Sequence, residues 1–227
     1  MMICPETFYE EKLKGKTPEQ IMTAIRSLKR EISRLKNIAE HPEYQCMMHP
    51  SESVRIMCLH EYLERAKMAL VEAGGEYTPT AAERRVMDFD ANIENIEKIT
   101  FNYGDCFANR RTYTVRIEEP IKYEMEIRFA YEQPVDDAEY DPVTKAEFFE
   151  MFSDLHIGEW KKYYDTERFG YFVLDGIQWD LTIEYNNGRK EFKCSGSNAY
   201  PYNFDQLVDI MGATDFMLEL NDNSPQE

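Results

Sequence analysis

The sequence contains no run of about 18 consecutive apolar residues, and this excludes a transmembrane helix. Residues 1–6 show no basic region followed by an apolar run, so we do not expect a secretion signal. The five cysteines are widely spaced, and none belongs to a C-x-x-C pair. Together with the missing signal, this spacing predicts reduced thiols in a cytoplasmic protein.

Motifs of nucleotide binding, zinc proteolysis and serine hydrolysis are also missing. There is no G-x-G-x-x-G, no Walker phosphate loop, no H-E-x-x-H and no G-x-S-x-G. Glycine occurs only ten times, which leaves little material for a loop that cradles phosphates. We therefore predict no cofactor, no metal and no catalytic residue, and we lean towards a protein that is not an enzyme.

Negative charge is what the chain has in excess. It carries 43 Asp and Glu against 26 Lys and Arg, a net charge of −17, and residues 101–227 account for −14 of it. Residues 132–159 hold nine acids and one base. This density repels phosphate backbones and anionic lipid, so we expect no direct nucleic-acid or membrane binding, and a basic protein as partner. The predicted partner-binding residues are Glu132, Asp136, Asp137, Glu139, Asp141, Glu147, Glu150 and Asp154. In the alternative interpretation, the acids only keep the protein soluble.

The first hundred residues carry the signals of helices. Thr17, Pro18 and Gln20 form the pattern of a capping box with proline at the first helical position. Apolar residues then recur at alternating spacings of four and three, the period of a coiled coil. This seam consists of Ile21, Ile25, Leu28, Ile32 and Leu35. It is either intramolecular core or a surface for homo-oligomerisation.

Two more helices are predicted before residue 99. Ser51 caps the second, which Gly74 and Gly75 end, and Thr80 with Glu83 begins the third. Three helices joined by short loops indicate an antiparallel bundle or helical arm over residues 1–98.

From Ile99 onwards the apolar period changes to two, which is typical of half-buried strands. Asn187-Gly188 is a signal for a type I′ hairpin between two such strands. Short helices are expected from Thr144 and near Asn203. The prediction is an α+β fold, with an antiparallel β-rich region and two short helices over 99–220 and a loose tail over 221–227.

Residues 170–212 contain two segments, Asp-Gly-Ile-Gln-Trp-Asp-Leu from residue 175 and Gly-Ser-Asn-Ala-Tyr-Pro-Tyr-Asn-Phe from residue 196. This region resembles a module of uncharacterised proteins from Firmicutes and their mobile elements. The resemblance implies a bacterial or phage origin and an accessory role. It implies no activity and no catalytic residues.

Three functions remain open. The first is an acidic, non-enzymatic interaction module, such as an inhibitor that occupies a basic nucleic-acid-binding groove of a host protein. The second is a hydrolase that uses the polar loop at 194–198, in which Ser195, Ser197 and Asn198 act with a carboxylate or with Cys194. The third is a structural subunit that assembles through the seam of the first helix.

Overall fold

The structure, a computed structural model, describes residues 3–45, 49–105, 110–128, 143–173 and 175–213. The chain folds as two compact units, residues 1–81 and residues 82–227. The first unit is helical, and the second combines a sheet with helices. The chain thus combines a mostly helical N-terminal part with a mostly antiparallel sheet, and the predicted α+β class is confirmed.

The first unit is built on two long helices. Its helices, with a π-helical turn at Tyr9–Leu13 between the first two, are α1 (Pro5–Phe8), α2 (Pro18–Ala39) and α3 (Glu52–Glu72). The predicted capping box is present at α2, where Thr17 and Gln20 bond each other's backbone N–H groups. Ser51 caps α3 by accepting a hydrogen bond from the Val54 N–H.

Helix α2 packs on α3 along the predicted apolar seam. Ile25 and Leu35 of the seam are fully buried, as are Ile56 and Ala66 of α3. Glu31 of α2 also pairs with Arg55 in the first turn of α3 at 3.5 Å. The seam thus forms the core of this unit.

The second unit contains a six-stranded sheet across its described residues, with strand order β3-β2-β1-β5-β6-β4. The strands are β1 (Ile96–Asp105), β2 (Arg110–Arg116), β3 (Lys122–Arg128), β4 (Tyr163–Tyr164), β5 (Ile177–Tyr185) and β6 (Phe192–Ser197). All neighbours pair antiparallel except β4, which runs parallel to β6, so the sheet is mixed where the sequence predicted an antiparallel one. Alternation places one face of β1, β2, β5 and β6 in the core, whereas on β3 Tyr123 is only partly buried and Met125 is exposed.

Three helices cover the core face of this sheet. They are α4 (Ala81–Asp90), α5 (Lys145–Ser153) and α6 (Phe204–Ile210). Phe89, Phe148, Phe152 and Phe204 enter one hydrophobic core with Phe101 of β1. The opposite face of the sheet carries polar and charged side chains, as expected for an antiparallel sheet covered on one side.

Helix α4 differs from the predicted third member of an N-terminal bundle. Phe89 packs edge-on against Phe192 of β6, with ring centroids 5.1 Å apart. Arg189, in the turn between β5 and β6, donates to the Asp88 carbonyl at 2.7 Å and pairs with its carboxylate at 2.5 Å. Because these contacts attach α4 to the sheet, the chain divides at 81/82, where the sequence suggested 98/99.

The predicted hairpin between the strands β5 and β6 is present, with Ile183 opposite Phe192. Its turn is not type I′, which requires positive φ at both central residues. Gly188 has φ +76°, but among the described non-glycine residues only His156 and Asn198 have positive φ. The Asn187 side chain instead accepts from the Arg189 N–H and donates to Asn92. This contact is a further link to the end of α4.

No helix in the described part of the chain is long and apolar enough to cross a membrane.

Candidate protein-interaction surface

Helix α5 presents three of the predicted acids on one exposed face. Thr144 caps the helix in a capping box with Glu147. Its hydroxyl oxygen accepts from the Glu147 N–H at 3.3 Å, and its own N–H donates to the Glu147 carboxylate at 3.0 Å. Phe148 and Phe152 lie on the opposite side of the helix and are buried in the core. Glu147, Glu150 and Asp154, spaced by three and four residues, are all exposed. The bonds from the Thr144 hydroxyl and backbone N–H lower the pKa of Glu147, so this group stays charged.

Helix α6 adds two more acids to the same layer. The Asn203 side chain donates to the Leu155 carbonyl at 2.8 Å, which joins the start of α6 to the end of α5. Asp205 and Asp209, four residues apart on α6, are exposed. Desolvation raises the pKa of Asp205, and the negative charge of Asp209 raises it further. We call Glu147, Glu150, Asp154, Asp205 and Asp209 the helical acidic surface.

Local helix stability does not explain all of these acids. Glu147 and Asp205 lie in the first turn of their helices, where the helix dipole favours a carboxylate. Asp154 and Asp209 lie at the opposite, negative ends, and neither helix has a basic residue in its last turn. A carboxylate at a helix C-terminus costs about 0.3–1 kcal/mol. These two acids are therefore placed against the preference of the helices that carry them.

Acids and bases pair on the polar face of the sheet. Lys98 of β1 pairs with Glu184 at 2.5 Å, and Arg116 pairs with Glu124 at 3.0 Å. The most connected group is a hydrogen-bonded chain across three strands, in which Thr112 donates to Asn102, and Asn102 and Arg110 both donate to Asp180. Exposed pairs of this kind contribute little stability, but they neutralise local charge.

By contrast, no basic side chain of the described residues pairs with any member of the helical acidic surface. Lys145, the base of α5, lies over the ring of Phe149 instead. Residues 82–227 contain 31 acids and 15 bases, a net −16, whereas residues 1–81 contain 12 and 11, a net −1. The excess negative charge is thus a property of the second unit, and the five acids of its helical layer have no basic partner among the described residues.

The sequence predicted only part of this surface. Glu147, Glu150 and Asp154 were predicted, whereas Glu132, Asp136, Asp137, Glu139 and Asp141 lie outside the described residues. Asp205 and Asp209 were missed because they fall beyond the acid-rich segment. A signal was available, since a spacing of four in a predicted helix places both carboxylates on one side.

The seam predicted as a possible oligomer surface is buried within the first unit. Its five residues, Ile21, Ile25, Leu28, Ile32 and Leu35, are each 8% exposed or less. Helix α3 occupies the side of α2 that a second copy would have to contact.

The residues of the hydrolase hypothesis do not form a loop or converge. Residues 194–197 belong to strand β6, so Cys194 faces the core while Ser195 and Ser197 face the other way. Burial raises the pKa of the Cys194 thiol, and Asp180 adds to the effect. Ser197 accepts from Gln178 at 2.6 Å, and the Asn198 side chain bonds the backbone of Asp175 and Ile177. These contacts join β6 and its C-terminal end to β5 and the residues before it, and they do not gather the four side chains at one site.

Within the described ranges, no group of three or more His, Cys, Asp or Glu side chains is arranged to hold a metal ion. Comparison with known proteins found no matching protein family, no matching curated protein and no matching solved structure.

Proposed function

We propose that this protein is a non-enzymatic binding module whose second unit docks on a basic protein partner through the helical acidic surface. The observation that carries the proposal is the charge distribution. Several acids of the sheet, including Glu184 and Glu124, pair with bases, whereas α5 and α6 expose five acids without a basic partner among the described residues. Uncompensated charge of one sign steers the approach of an opposite charge.

Two further features support this assignment. Asp154 and Asp209 lie at helix ends where a carboxylate is unfavourable, which is expected if they serve an intermolecular contact. The apolar core beneath them, including Phe148 and Phe204, holds both helices on a fixed sheet. Carboxylates on the exposed sides of two core-packed helices present negative charge, as a phosphate backbone does. A groove that binds nucleic acid is therefore the kind of basic surface that this unit would fit.

The resemblance of residues 170–212 to a module of Firmicutes and their mobile elements suggests a biological setting. In that setting the partner is a host protein that handles nucleic acid, and the module acts as its inhibitor in the cytoplasm. The inhibitor occupies the groove in place of the nucleic acid and does not bind nucleic acid itself.

The test uses the full chain, immobilised, with a bacterial lysate passed over it at low salt. A retained protein is purified, and its affinity is measured for the wild type and for the triple variant Glu147→Gln, Glu150→Gln, Asp154→Asn. We expect the triple variant to bind at least about tenfold more weakly, because three charge–charge contacts are removed. We also expect the wild-type affinity to decrease as the salt concentration rises from about 0.05 to about 0.5 M, because the Debye length then drops from above to below about 10 Å.

A matched control neutralises three acids that are paired on or beside the sheet, in the variant Glu118→Gln, Glu124→Gln, Glu184→Gln. Both variants change the net charge equally, so only the location of the charge differs. Equal weakening by both would show that total charge, rather than the helical surface, drives binding. The purified partner should also lose a bound DNA duplex when the wild-type protein is added, and simultaneous binding of both would contradict the inhibitor hypothesis.

A further inference from the structure

The connection between β4 and β5 is held at its start by a buried threonine. Thr166, only 6% exposed, donates from its hydroxyl to the Tyr171 carbonyl at 2.9 Å. The Tyr171 N–H returns a bond to the Thr166 carbonyl at 3.2 Å. A 3₁₀ turn at Glu167–Phe169 fills the interval, and Gly170 closes it with φ +84°. The backbone position of Tyr171 is therefore fixed.

The same connection is held at its other end by Asn198. Its side-chain oxygen accepts from the Ile177 N–H at 2.8 Å, and its amide donates to the Asp175 carbonyl at 3.4 Å. Gly176, with φ +142°, leaves room for this side chain, since a Cβ there would lie 2.0 Å from the Asn198 oxygen. Asn198 itself adopts φ +50°. The second end of the segment is thus also anchored.

Between these two anchors the chain displays apolar side chains to solvent. Phe172 is 81% exposed and Val173 is 50% exposed, and no described large hydrophobic residue is more exposed than Phe172. Both side chains are therefore exposed although they are neighbours in the chain. A phenylalanine held outward on an anchored segment loses little conformational freedom when it binds. Buried aromatic anchors dominate the affinity of protein interfaces.

The charges around Phe172 indicate the chemistry of its partner. Asp165, Glu167 and Asp175 flank it along the chain, and the one base of this segment, Arg168, lies over the Phe169 ring at 4.3 Å. We infer that Phe172 and Val173 are the apolar anchor of the interface and insert into an apolar pocket with a lysine- or arginine-rich rim on the partner protein. This inference rests on the proposed function and adds a second contact region to it.

Photo-crosslinking tests the contact directly. The full chain carries p-benzoylphenylalanine in place of Phe172, and the protein retained from the lysate at low salt serves as the probe. We expect crosslinks from position 172 to an apolar segment of that protein with basic residues close by. The matched control places the same amino acid at Met87, an exposed apolar residue of α4 that is 57% accessible. Equal crosslinking from both positions would overturn the inference.

Affinity measurements separate this inference from the proposed function. Phe172→Ser should weaken binding by about 30-fold or more with an unchanged salt dependence, whereas Met87→Ser should leave it within about twofold. Both variants should keep the wild-type melting temperature, because both side chains are exposed. Asn198→Ala, which frees the segment at one end, should weaken binding by an intermediate factor.

Each outcome of these measurements decides one of the two claims. A Phe172→Ser protein that binds as tightly as the wild type overturns the apolar anchor, while a salt-dependent loss in the Glu147/Glu150/Asp154 variant still supports the proposed function. The reverse result, a Phe172 effect without salt dependence, overturns the charge-driven function and keeps the anchor. A column that retains no protein overturns both.

Discussion

Truncation of Phe89 tests whether α4 belongs to the sheet unit. Phe89 is 3% exposed, contacts Phe192 edge-on, and its Cβ lies close to Gly158. Phe89→Ala should cost about 3–5 kcal/mol in the free energy of unfolding, because it removes the ring and leaves a cavity. With a urea m value of about 2 kcal/mol per molar, the unfolding midpoint of this unit should fall by about 1.5–2.5 M.

Tryptophan fluorescence gives a readout specific for the second unit. Both tryptophans, Trp160 and Trp179, lie in it and are buried. Urea unfolding followed by their fluorescence should therefore show the full shift in Phe89→Ala. Phe89→Leu, a milder change of about 1 kcal/mol, covers the case in which the alanine variant does not fold. Met87→Ala, on the exposed side of the same helix, is the matched control.

An unchanged fluorescence midpoint in both Phe89 variants would refute the assignment of α4 to the sheet. A midpoint lowered equally by Met87→Ala would refute the reasoning from burial, since Met87 is 57% exposed.

Three further outcomes are expected. Gly196→Ala should lower the free energy of unfolding by about 1–3 kcal/mol in urea titrations, because its Cβ would lie 2.4 Å from the Trp179 indole nitrogen, and a gain in stability would contradict this packing. Thr144→Ala should cost about 0.5–2 kcal/mol at pH 7 through loss of the capping box. Because the folded-state pKa of Glu147 is lowered, its contribution is present above the unfolded pKa of about 4.3 and is lost as the pH falls through the folded value. The cost of Thr144→Ala should therefore be smaller at pH 2 than at pH 7, and a larger cost in acid would contradict the sign. Tyr62→Phe should cost about 0.5–1.5 kcal/mol per lost bond, since the Tyr62 hydroxyl bonds both the N–H and the carbonyl of Ile3. Limited proteolysis should then cut faster near α1, and an unchanged cleavage rate would argue against this contact.

Helix starts were predictable because capping is local. The patterns at Thr17, Ser51 and Thr144 each specify hydrogen bonds within three residues, and all three caps are present. Strand faces were predictable for the same reason, since alternation needs only neighbouring residues. Trp179, Leu181 and Ile183 are accordingly buried.

The partners of these elements were not predictable from the same patterns. The apolar face of α4 shows that Phe89 must be buried, but nothing in its spacing distinguishes a neighbouring helix from β6. Residues 195–198 resemble a loop because serine and glycine have low strand propensity, yet pairing with β5 holds Ser195 and Ser197 in a strand. Tertiary contacts decided both cases.

The candidate surface, too, was predictable only where it depends on neighbouring residues in the sequence. The acid-rich segment indicated where negative charge is dense along the chain. It did not indicate that Glu184 and Asp180 are neutralised by Lys98 and Arg110 from other strands. Which acids remain available to a partner depends on strand register, and register is a property of the folded chain.

Mapping where a positive probe binds tests whether α5 and α6 carry the uncompensated charge. The ¹⁵N-labelled full chain is titrated with a ten-residue lysine peptide, and backbone amide shifts are followed by NMR at low and high salt. We predict salt-sensitive shifts in α5 and α6 that exceed those on the polar face of the sheet. Shifts spread evenly over the sheet, or confined to it, would contradict the claim that the helical acidic surface carries the uncompensated charge.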